Sequence, residues 1–395
     1  MPDLWVEVNL DAVLHNYRQI KEKISPGSRC MAVVKADAYG MGAVEVAKIL
    51  QDDGCEAFAV TTLDEAILLR QNGIDAIILV LGPTSRPSWG QAMEENIQIT
   101  ISDLERISDL EEFCREKNRE FSIHIKVETG MGRTGVPEDQ AEALVALLKK
   151  CSFVKPVGIY THFARAAQKD NKYTSKQYSI FTNFVQKIEN EGVSIKWKHV
   201  CNSAAFLDFP EYHHDFVRIG TLIIGHFPAS SFAGQLDLED PWIVKAKIIY
   251  LRKVCKGTYV GYQSLYKTKK DTELAVIPVG YADGFGIEPR FVPQGFIDLI
   301  KIYIKNALAL FGIQLGRESL QVNGKRAQIA GKIGMQLTVF DVGDTPCKLG
   351  DEVVIPIRRT LANPRILRYY KKNGEFYIKR NVKEGFLSVN KEYSI

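Results

Sequence analysis

Short apolar runs and longer stretches with helical spacing alternate between residues 28 and 226. The runs are rich in β-branched residues, and AVEVAKIL, after the first of them, has apolar residues at the spacing of a helix. This alternation is typical of βα units around parallel strands. We predict eight strands, at 30–36, 57–62, 76–82, 97–102, 121–127, 155–162, 196–202 and 216–224. Eight such units over about 200 residues predict an α/β fold, a (β/α)8 TIM-type barrel with its site at the carboxyl ends of the strands.

The pattern changes from about residue 240, where strand-like runs alternate with Gly and Asp turns. WIVKAKIIYLRKV, TELAVIPVGY and RAQIAGKIGMQLTVFDVG are examples of these runs. One segment, 295–312, instead places apolar residues at i, i+3 and i+4 and predicts a helix. We therefore expect a barrel domain over 1–235, whose first residues join the second domain, and a mostly β domain over 236–395 with this helix inserted.

Composition excludes several classes of protein. The 51 basic and 47 acidic side chains of the 395 residues are spread along the chain and leave a net charge of +4, which argues against a nucleic-acid partner. The seven cysteines form no CxxC pair, so neither a zinc site nor a redox dithiol is expected, and reduced thiols favour the cytoplasm. The amino-terminal segment lacks the features of a signal peptide, and no apolar run is long enough to span a membrane. We predict a cytoplasmic protein with no membrane partner and no metal.

Cationic and polar residues follow six of the predicted strands. A single residue of this kind is more often structural than catalytic, but a barrel gathers its strand ends around one mouth. A mouth lined by Lys, Arg and His suits an anionic, phosphorylated ligand. The residues are Lys35, Lys126, Arg133, His162, Asn202, Ser203 and Arg218.

The segment AVVKADAYGMG carries the sharpest local signal. Lys35 follows an apolar run, where a lysine loses its charge readily, and Schiff-base chemistry requires a neutral lysine. In RIGT (218–221), backbone N–H groups beside a glycine predict a phosphate-binding turn. Together they point to a lysine that reacts with a phosphorylated aldehyde cofactor, and they leave the reaction open.

Eight collinear segments resemble the bacterial alanine racemases. They are VEVNLDAVLHNY, VKADAYGMG, KVETGMGRTGV, YTHFARA, NSAA, VRIG, VGYQSLY and VGYADGF, and the resemblance resumes at IAGKIGMQLTVFDVG. The resemblance covers residues 5 to about 285 in order. It implies a barrel followed by a β domain, pyridoxal 5'-phosphate as cofactor, a small amino-acid substrate, and a homodimer whose sites are shared between subunits.

The resemblance also implies roles for individual residues. Lys35 corresponds to the lysine that holds the cofactor covalently and serves as one base, and Tyr262 to the base on the opposite face. Arg218 corresponds to the arginine that binds the pyridine nitrogen, with His162 behind it. The phosphate would be bound by Tyr39, Ser203, Gly220 and Thr221, and the substrate side formed by Arg133, Tyr281, Met335 and Lys126, a candidate for carbamylation.

The chain also departs from the family pattern around the substrate entrance. Met41, Ala167, Ile287, Lys332 and Gln336 replace residues usual in the family, and its TINYE-like tyrosine has no counterpart. These departures leave two alternatives open, a racemase for another amino acid and a non-catalytic homologue that binds the cofactor. A related decarboxylase is disfavoured, because the chain lacks the glycine-rich phosphate loop of those enzymes.

Overall fold

A computed structural model describes residues 1–168, 170–288, 293, 295–310, 319–383 and 386–390. The chain divides into two compact units, one of residues 10–241 and one of residues 1–9 with 242–395. The first strand, β1 (Leu4–Asn9), belongs to the second of these units. The domain limits expected from the sequence, 1–235 and 236–395, stay a prediction.

Eight parallel strands form a single sheet in the unit of residues 10–241, in the order β8-β7-β6-β5-β4-β3-β2-β9. They are β2 (Arg29–Val33), β3 (Ala57–Val60), β4 (Ile77–Pro83), β5 (Gln98–Ile101), β6 (Phe121–Lys126), β7 (Val154–Tyr160), β8 (Trp197–His199) and β9 (Phe216–Ile219). Between the outermost strands, the Asp215 N–H donates to the Lys198 carbonyl (3.1 Å) and the Arg218 N–H to the Cys201 carbonyl (3.0 Å). These bonds bring the sheet close to a closed ring, and the predicted TIM-type barrel is confirmed.

Helices alternate with the barrel strands, the first helix preceding β2, as in other βα barrels. They are α1 (Leu10–Lys23), α2 (Lys35–Tyr39), α3 (Ala43–Asp52), α4 (Leu63–Gln71), α5 (Arg86–Glu94), α6 (Glu105–Lys117), α7 (Ala141–Leu148), α8 (Lys172–Asn190) and α9 (Ser203–Asp208). Part of the core is a cluster of buried side chains from β2, β3, β4 and β9, among them Met31, Leu79 and Phe216. Several observed strands end earlier than predicted, β9 at Ile219 rather than 224, because the residues after them turn to line the mouth.

The second unit is mostly β, as predicted. It contains β10 (Trp242–Lys247), β11 (Tyr250–Val254), β12 (Tyr259–Val260), β13 (Tyr266–Lys267), β14 (Thr272–Ile277), β15 (Leu320–Val322), β16 (Lys325–Ile329), β17 (Thr338–Asp341), β18 (Glu352–Ile355), β19 (Leu367–Lys372), β20 (Glu375–Lys383) and β21 (Phe386–Asn390). An eleven-stranded sheet has the order β11-β14-β17-β16-β15-β18-β10-β1-β19-β20-β21, and β12 pairs with β13. Within it, β1 lies antiparallel to β10 and parallel to β19.

One helix, α10 (Phe296–Leu310), lies in the segment whose apolar spacing predicts a helix. Several of its apolar side chains are exposed, including Phe296 and Tyr303. In the described part of the chain, no helix combines the length and the apolar character needed to cross a membrane.

Candidate active site

A cavity of about 620 Å³ opens at the carboxyl ends of the barrel strands. No Asp or Glu is among the described residues that line it, so the cavity is strongly cationic. Such a lining favours a ligand that carries negative charge. Every barrel residue singled out by the resemblance lines this cavity, namely Lys35, Tyr39, Lys126, Arg133, His162, Ser203, Arg218, Gly220 and Thr221.

Lys35 directly precedes a left-handed turn, which makes up most of α2, rather than ending its strand. β2 ends at Val33, and residues 36–39 all have φ between 49° and 57° before Gly40 ends the turn at φ 93°. Each non-glycine residue in this conformation costs roughly 1–2 kcal/mol. Glu65 at the start of α4 braces the turn, because its Oε1 accepts a bond from the Ala36 N–H at 2.5 Å. Strain of this kind is typical of functional sites, where the surrounding structure maintains it.

The half-buried Lys35 side chain has a lowered pKa. Burial is the main cause, the positive charge of Arg133 adds to it, and the carboxylate of Glu65 opposes it. Both effects that lower the pKa favour the neutral amine. The neutral amine is the nucleophilic form of lysine, so Lys35 is suited to covalent chemistry with a carbonyl.

Lys126 lines the same cavity and is almost completely buried. Its Nζ donates to Thr134 Oγ1 at 2.6 Å. Burial, then the charges of Arg133 and Arg218, lower the pKa of Lys126 to about 8. A substantial fraction of Lys126 is therefore neutral near physiological pH, which carbamylation requires.

Hydrogen bonds from both Nη atoms hold the buried guanidinium of Arg218. Its Nη1 donates to the carbonyl of His199 (2.7 Å) and lies 2.9 Å from Nδ1 of the same residue. Its Nη2 donates to the carbonyls of Thr161 (2.7 Å) and Val200 (3.1 Å) and lies 3.5 Å from His162 Nδ1. His199 therefore contacts Arg218 more closely than His162, the residue that the sequence resemblance placed behind it.

Burial lowers the pKa of Arg218 to about 10. The guanidinium therefore stays protonated at neutral pH and remains a hydrogen-bond donor. The pKa of His162 falls to about 3, because burial and the charges of Arg218 and Arg133 disfavour its cationic form. His162 is consequently neutral beside the arginine.

Another part of the cavity lining fits a phosphate group. Ser203 Oγ accepts a bond from the Gly220 N–H at 3.3 Å, and the buried Oγ1 of Thr221 has no hydrogen-bond partner among the described residues. A side chain at position 220 would overlap the hydroxyl of Tyr39, so glycine is required there. Burial raises the pKa of Tyr39 to about 12, which keeps this hydroxyl protonated and able to donate. An unpartnered buried hydroxyl usually marks a ligand or water position.

The other three candidate residues belong to the second unit, where they form an exposed loop cluster of residues 261–265, 280–283 and 331–337. The Tyr281 N–H donates to the Gly334 carbonyl and the Ala282 N–H to the Met335 carbonyl, both at 3.0 Å. Gly261, beside Tyr262, lies next to residues 331–332. The side chains are strongly exposed, 76% for Tyr262, 58% for Met335 and 47% for Tyr281.

Sequence reasoning missed the polar side chains behind Arg218. His199 and His124 are fully buried, and the Tyr160 ring stacks on His199 with centroids 4.7 Å apart. The signal available for His124 is its place inside the apolar run FSIHIKV, where an unpaired polar ring would be costly. His199 carries no comparable signal.

Family models identify both parts of the chain. The one described as "Alanine racemase, N-terminal domain" matches residues 8–228, and the one described as "Alanine racemase, C-terminal domain" matches residues 242–364. The chain belongs to the alanine racemase family.

Named members of the family are similar over most of their length. "Alanine racemase 2" of Caldanaerobacter subterraneus subsp. tengcongensis is 36% identical over 352 residues, 89% of this chain and 84% of the relative. The alanine racemase of Methanococcus maripaludis is 36% identical over 355 residues, 89% and 88% of the two chains.

Solved alanine racemases share the fold. The enzyme of Clostridium difficile 630 superposes with a TM-score of 0.85 at 28% identity, covering 96% of this chain and 99% of the other. A Bacillus anthracis alanine racemase with bound L-Ala-P superposes with a TM-score of 0.82 at 30% identity, covering 96% and 98%.

Proposed function

We propose that this protein interconverts L- and D-alanine by a two-base mechanism, with pyridoxal 5'-phosphate held in the barrel cavity. The observation that carries the proposal is the cavity itself. It combines Lys35, whose pKa is lowered, with a firmly held Arg218 and the unpartnered hydroxyl of Thr221, and no acidic residue is among its described lining. Membership of the alanine racemase family supports the same assignment.

The phosphate would be bound by Ser203, Gly220, Thr221 and Tyr39. The hydroxyls of Ser203, Thr221 and Tyr39 are donors of the kind that binds phosphate oxygens, and the Gly220 N–H, which donates to Ser203 Oγ, would orient that hydroxyl. Lys35 would hold the cofactor covalently through Nζ. When bound, pyridoxal phosphate supplies an electron-withdrawing ring that acidifies the Cα–H bond of an amino acid.

Arg218 would donate a hydrogen bond to the pyridine nitrogen. A guanidinium essentially keeps its proton, so that nitrogen would accept a hydrogen bond without becoming protonated. By keeping its own proton, Arg218 would leave that nitrogen unprotonated, which would disfavour side reactions other than racemisation. The neutral His162 beside Arg218 adds no competing charge to this end of the cavity.

Racemisation requires a proton to leave Cα on one face and to return on the other, so two bases must flank the substrate. Lys35 Nζ would serve one face and Tyr262 Oη the other. We propose that Tyr262 comes from the second subunit of a homodimer, together with Tyr281 and the backbone N–H of Met335. The exposure of all three supports this proposal, because a partner surface would cover them.

Arg133 would bind the substrate carboxylate, and Lys126 would position Arg133 after carbamylation. The lowered pKa of Lys126 supports the second role, since only a neutral amine reacts with carbon dioxide. A cytoplasmic location stays a prediction.

Deuterium incorporation tests the proposed function directly. The purified protein, loaded with pyridoxal phosphate, is incubated with single L-amino acids in deuterated water, and Cα deuterium and the D-isomer are measured. Exchange with inversion of alanine is expected, and heat-inactivated protein is the control. Inversion confined to another amino acid would indicate a different substrate, whereas cofactor binding without exchange of any amino acid would indicate a non-catalytic homologue.

A further inference from the structure

A row of buried polar side chains runs through the barrel interior behind Arg218. His199 Nδ1 lies 2.9 Å from Arg218 Nη1, and His199 Nε2 lies 2.9 Å from His124 Nδ1. His124 Nε2 lies 2.8 Å from Oε1 of Gln98, the first residue of β5. Neither ring has exposed surface. The row therefore connects the cavity with the amino-terminal end of a barrel strand.

The chemistry of the end groups determines the direction of every bond in this row. A guanidinium only donates, so His199 Nδ1 accepts. A neutral imidazole carries one N–H, which in His199 must lie on Nε2 and point to His124 Nδ1. The proton of His124 then lies on Nε2 and is donated to Gln98 Oε1. The row leaves one tautomer for each ring.

Both rings are neutral. Burial is the main cause that lowers the pKa of His124 to about 3, and the charge of Arg218 adds to it. The pKa of His199 is lowered by burial, by Arg218, and by the neighbouring histidines His124 and His214. Among the described residues, no carboxylate raises either pKa, so both rings favour the neutral imidazole form.

Packing holds the two rings in these orientations. Gly158 on β7 leaves the space that His124 occupies, because a Cβ at this position would overlap the imidazole. Trp197 lies against His124 with ring centroids 6.0 Å apart, and Tyr160 stacks on His199. The row therefore depends both on its polar partners and on the glycine at position 158, which leaves space for the His124 ring.

We propose that Gln98, His124 and His199 are positioning residues that hold Arg218 in a single orientation through a hydrogen-bond row with one fixed direction. His199 Nδ1 and the carbonyls of His199, Thr161 and Val200 together engage the four hydrogens on the two Nη atoms. Among the bonds that the described residues make, this leaves the Nε–H as the guanidinium hydrogen available to a ligand. The role of Arg218 toward that ligand rests on the proposed function, but the direction of the row does not.

Nitrogen-15 NMR of the full-length protein labelled in histidine tests the direction, with and without added pyridoxal phosphate. His124→Gln and His199→Asn assign the signals. Both rings are expected as the Nε2–H tautomer, unchanged between about pH 5 and pH 9, although a free histidine titrates near 6.5. A proton on Nδ1, or a doubly protonated ring in this range, would overturn the proposal.

Substitution of Gln98 tests the positioning role. Gln98→Leu removes the last acceptor and leaves the His124 Nε2–H without a partner, so we expect the His124 nitrogen-15 signals to shift and kcat for alanine to fall about tenfold, the low end for outer partners of site residues, with KM unchanged. Gln98→Glu restores an acceptor and is expected to rescue both. Gln186→Leu, on the exposed side of α8, is the matched control.

Gly158→Ala is a second test of the positioning role if Gln98→Leu folds poorly. The added Cβ would displace the His124 ring, while Gln98 remains as the acceptor. Shifted His124 nitrogen-15 signals with wild-type kcat in either variant would overturn the positioning role. Failure of the proposed function is distinguishable, since the wild-type protein would then fail to racemise alanine while the tautomers are still measured.

Discussion

In the barrel, Arg218 is 4% exposed and four protein acceptors hold its guanidinium, whereas in the second unit Tyr262 is 76% exposed. Buried partners fix the barrel side chains in place before any ligand arrives. The loop cluster has backbone bonds that shape its loops, but its candidate side chains face solvent. The contrast teaches that the candidate residues of the barrel are already held by the protein, whereas under the proposed function those of the loop cluster would need a covering surface to contribute to a site.

Removal of Lys35 should have the largest effect on the barrel side of this comparison. Lys35→Ala leaves no amine for covalent attachment, so borohydride reduction followed by mass spectrometry of a digest should find no fixed cofactor. Lys149→Ala, an exposed lysine paired with Glu191, should behave as wild type. Cofactor fixed to a different lysine in the wild-type digest would remove this assignment.

Tyr262→Phe tests the contribution of the loop cluster in the second unit. We expect cofactor binding to persist and racemisation to fall by about 10²–10⁴, the usual contribution of a general base. Tyr259→Phe, an exposed tyrosine on the same hairpin, is the matched control and should retain activity. Equal activity of the two variants, measured as D-alanine formed, would exclude Tyr262 as a base.

Mixing the two inactive proteins tests whether the loop cluster acts across subunits. When Lys35→Ala and Tyr262→Phe proteins exchange subunits, each heterodimer regains one intact site, so activity should rise to about a quarter of wild type for random pairing. Sedimentation should show dimers. A fully active monomer, or no recovery despite proven exchange, would contradict the shared site.

Arg218→Lys should lower the free energy of unfolding by about 1–3 kcal/mol, because lysine cannot satisfy all the buried acceptors that the guanidinium reaches. The exposed Arg86→Lys should change it by no more than about 0.5 kcal/mol. Urea unfolding of the cofactor-free proteins measures both. An equally small change in the free energy of unfolding at the two positions would show that the hydrogen bonds from Arg218 to its buried acceptors do not stabilise the fold.

The buried His124 predicts a smaller, pH-dependent effect. Its pKa is about 3 in the folded protein and near 6.5 in an unfolded chain, so below pH 6.5 the unfolded state binds more protons. The contribution of neutral His124 to the free energy of unfolding is complete above about pH 6.5. It decreases as the pH falls toward 3, and at pH 5 it is smaller by about 2 kcal/mol. Unfolding at pH 7 and pH 5 should show a smaller difference in His124→Gln than in wild type, and no such reduction in the exposed His226→Gln.

The sequence predicted the barrel strands and the residues that line the cavity better than it predicted the buried side chains that hold those residues. Strand periodicity located all eight barrel strands, and the residues that follow them, such as Lys35 and Ser203, line one cavity because parallel strands end at the same edge. The resemblance to the family added Tyr262 and Met335, which no local pattern distinguishes from other surface residues.

Periodicity alone predicted the two-part fold and the polar residues that follow the barrel strands, because both depend on local spacing along the chain, and the resemblance to the family supplied the other candidate residues. Only the tertiary structure decided the left-handed turn at 36–39, which Glu65 braces, and the row from Arg218 through His199 and His124 to Gln98. These features depend on partners far apart in the sequence, His199 and His124 being 75 residues apart. A hydrogen bond or a buried ring acquires its energy from what folding places beside it, and local spacing does not contain that information.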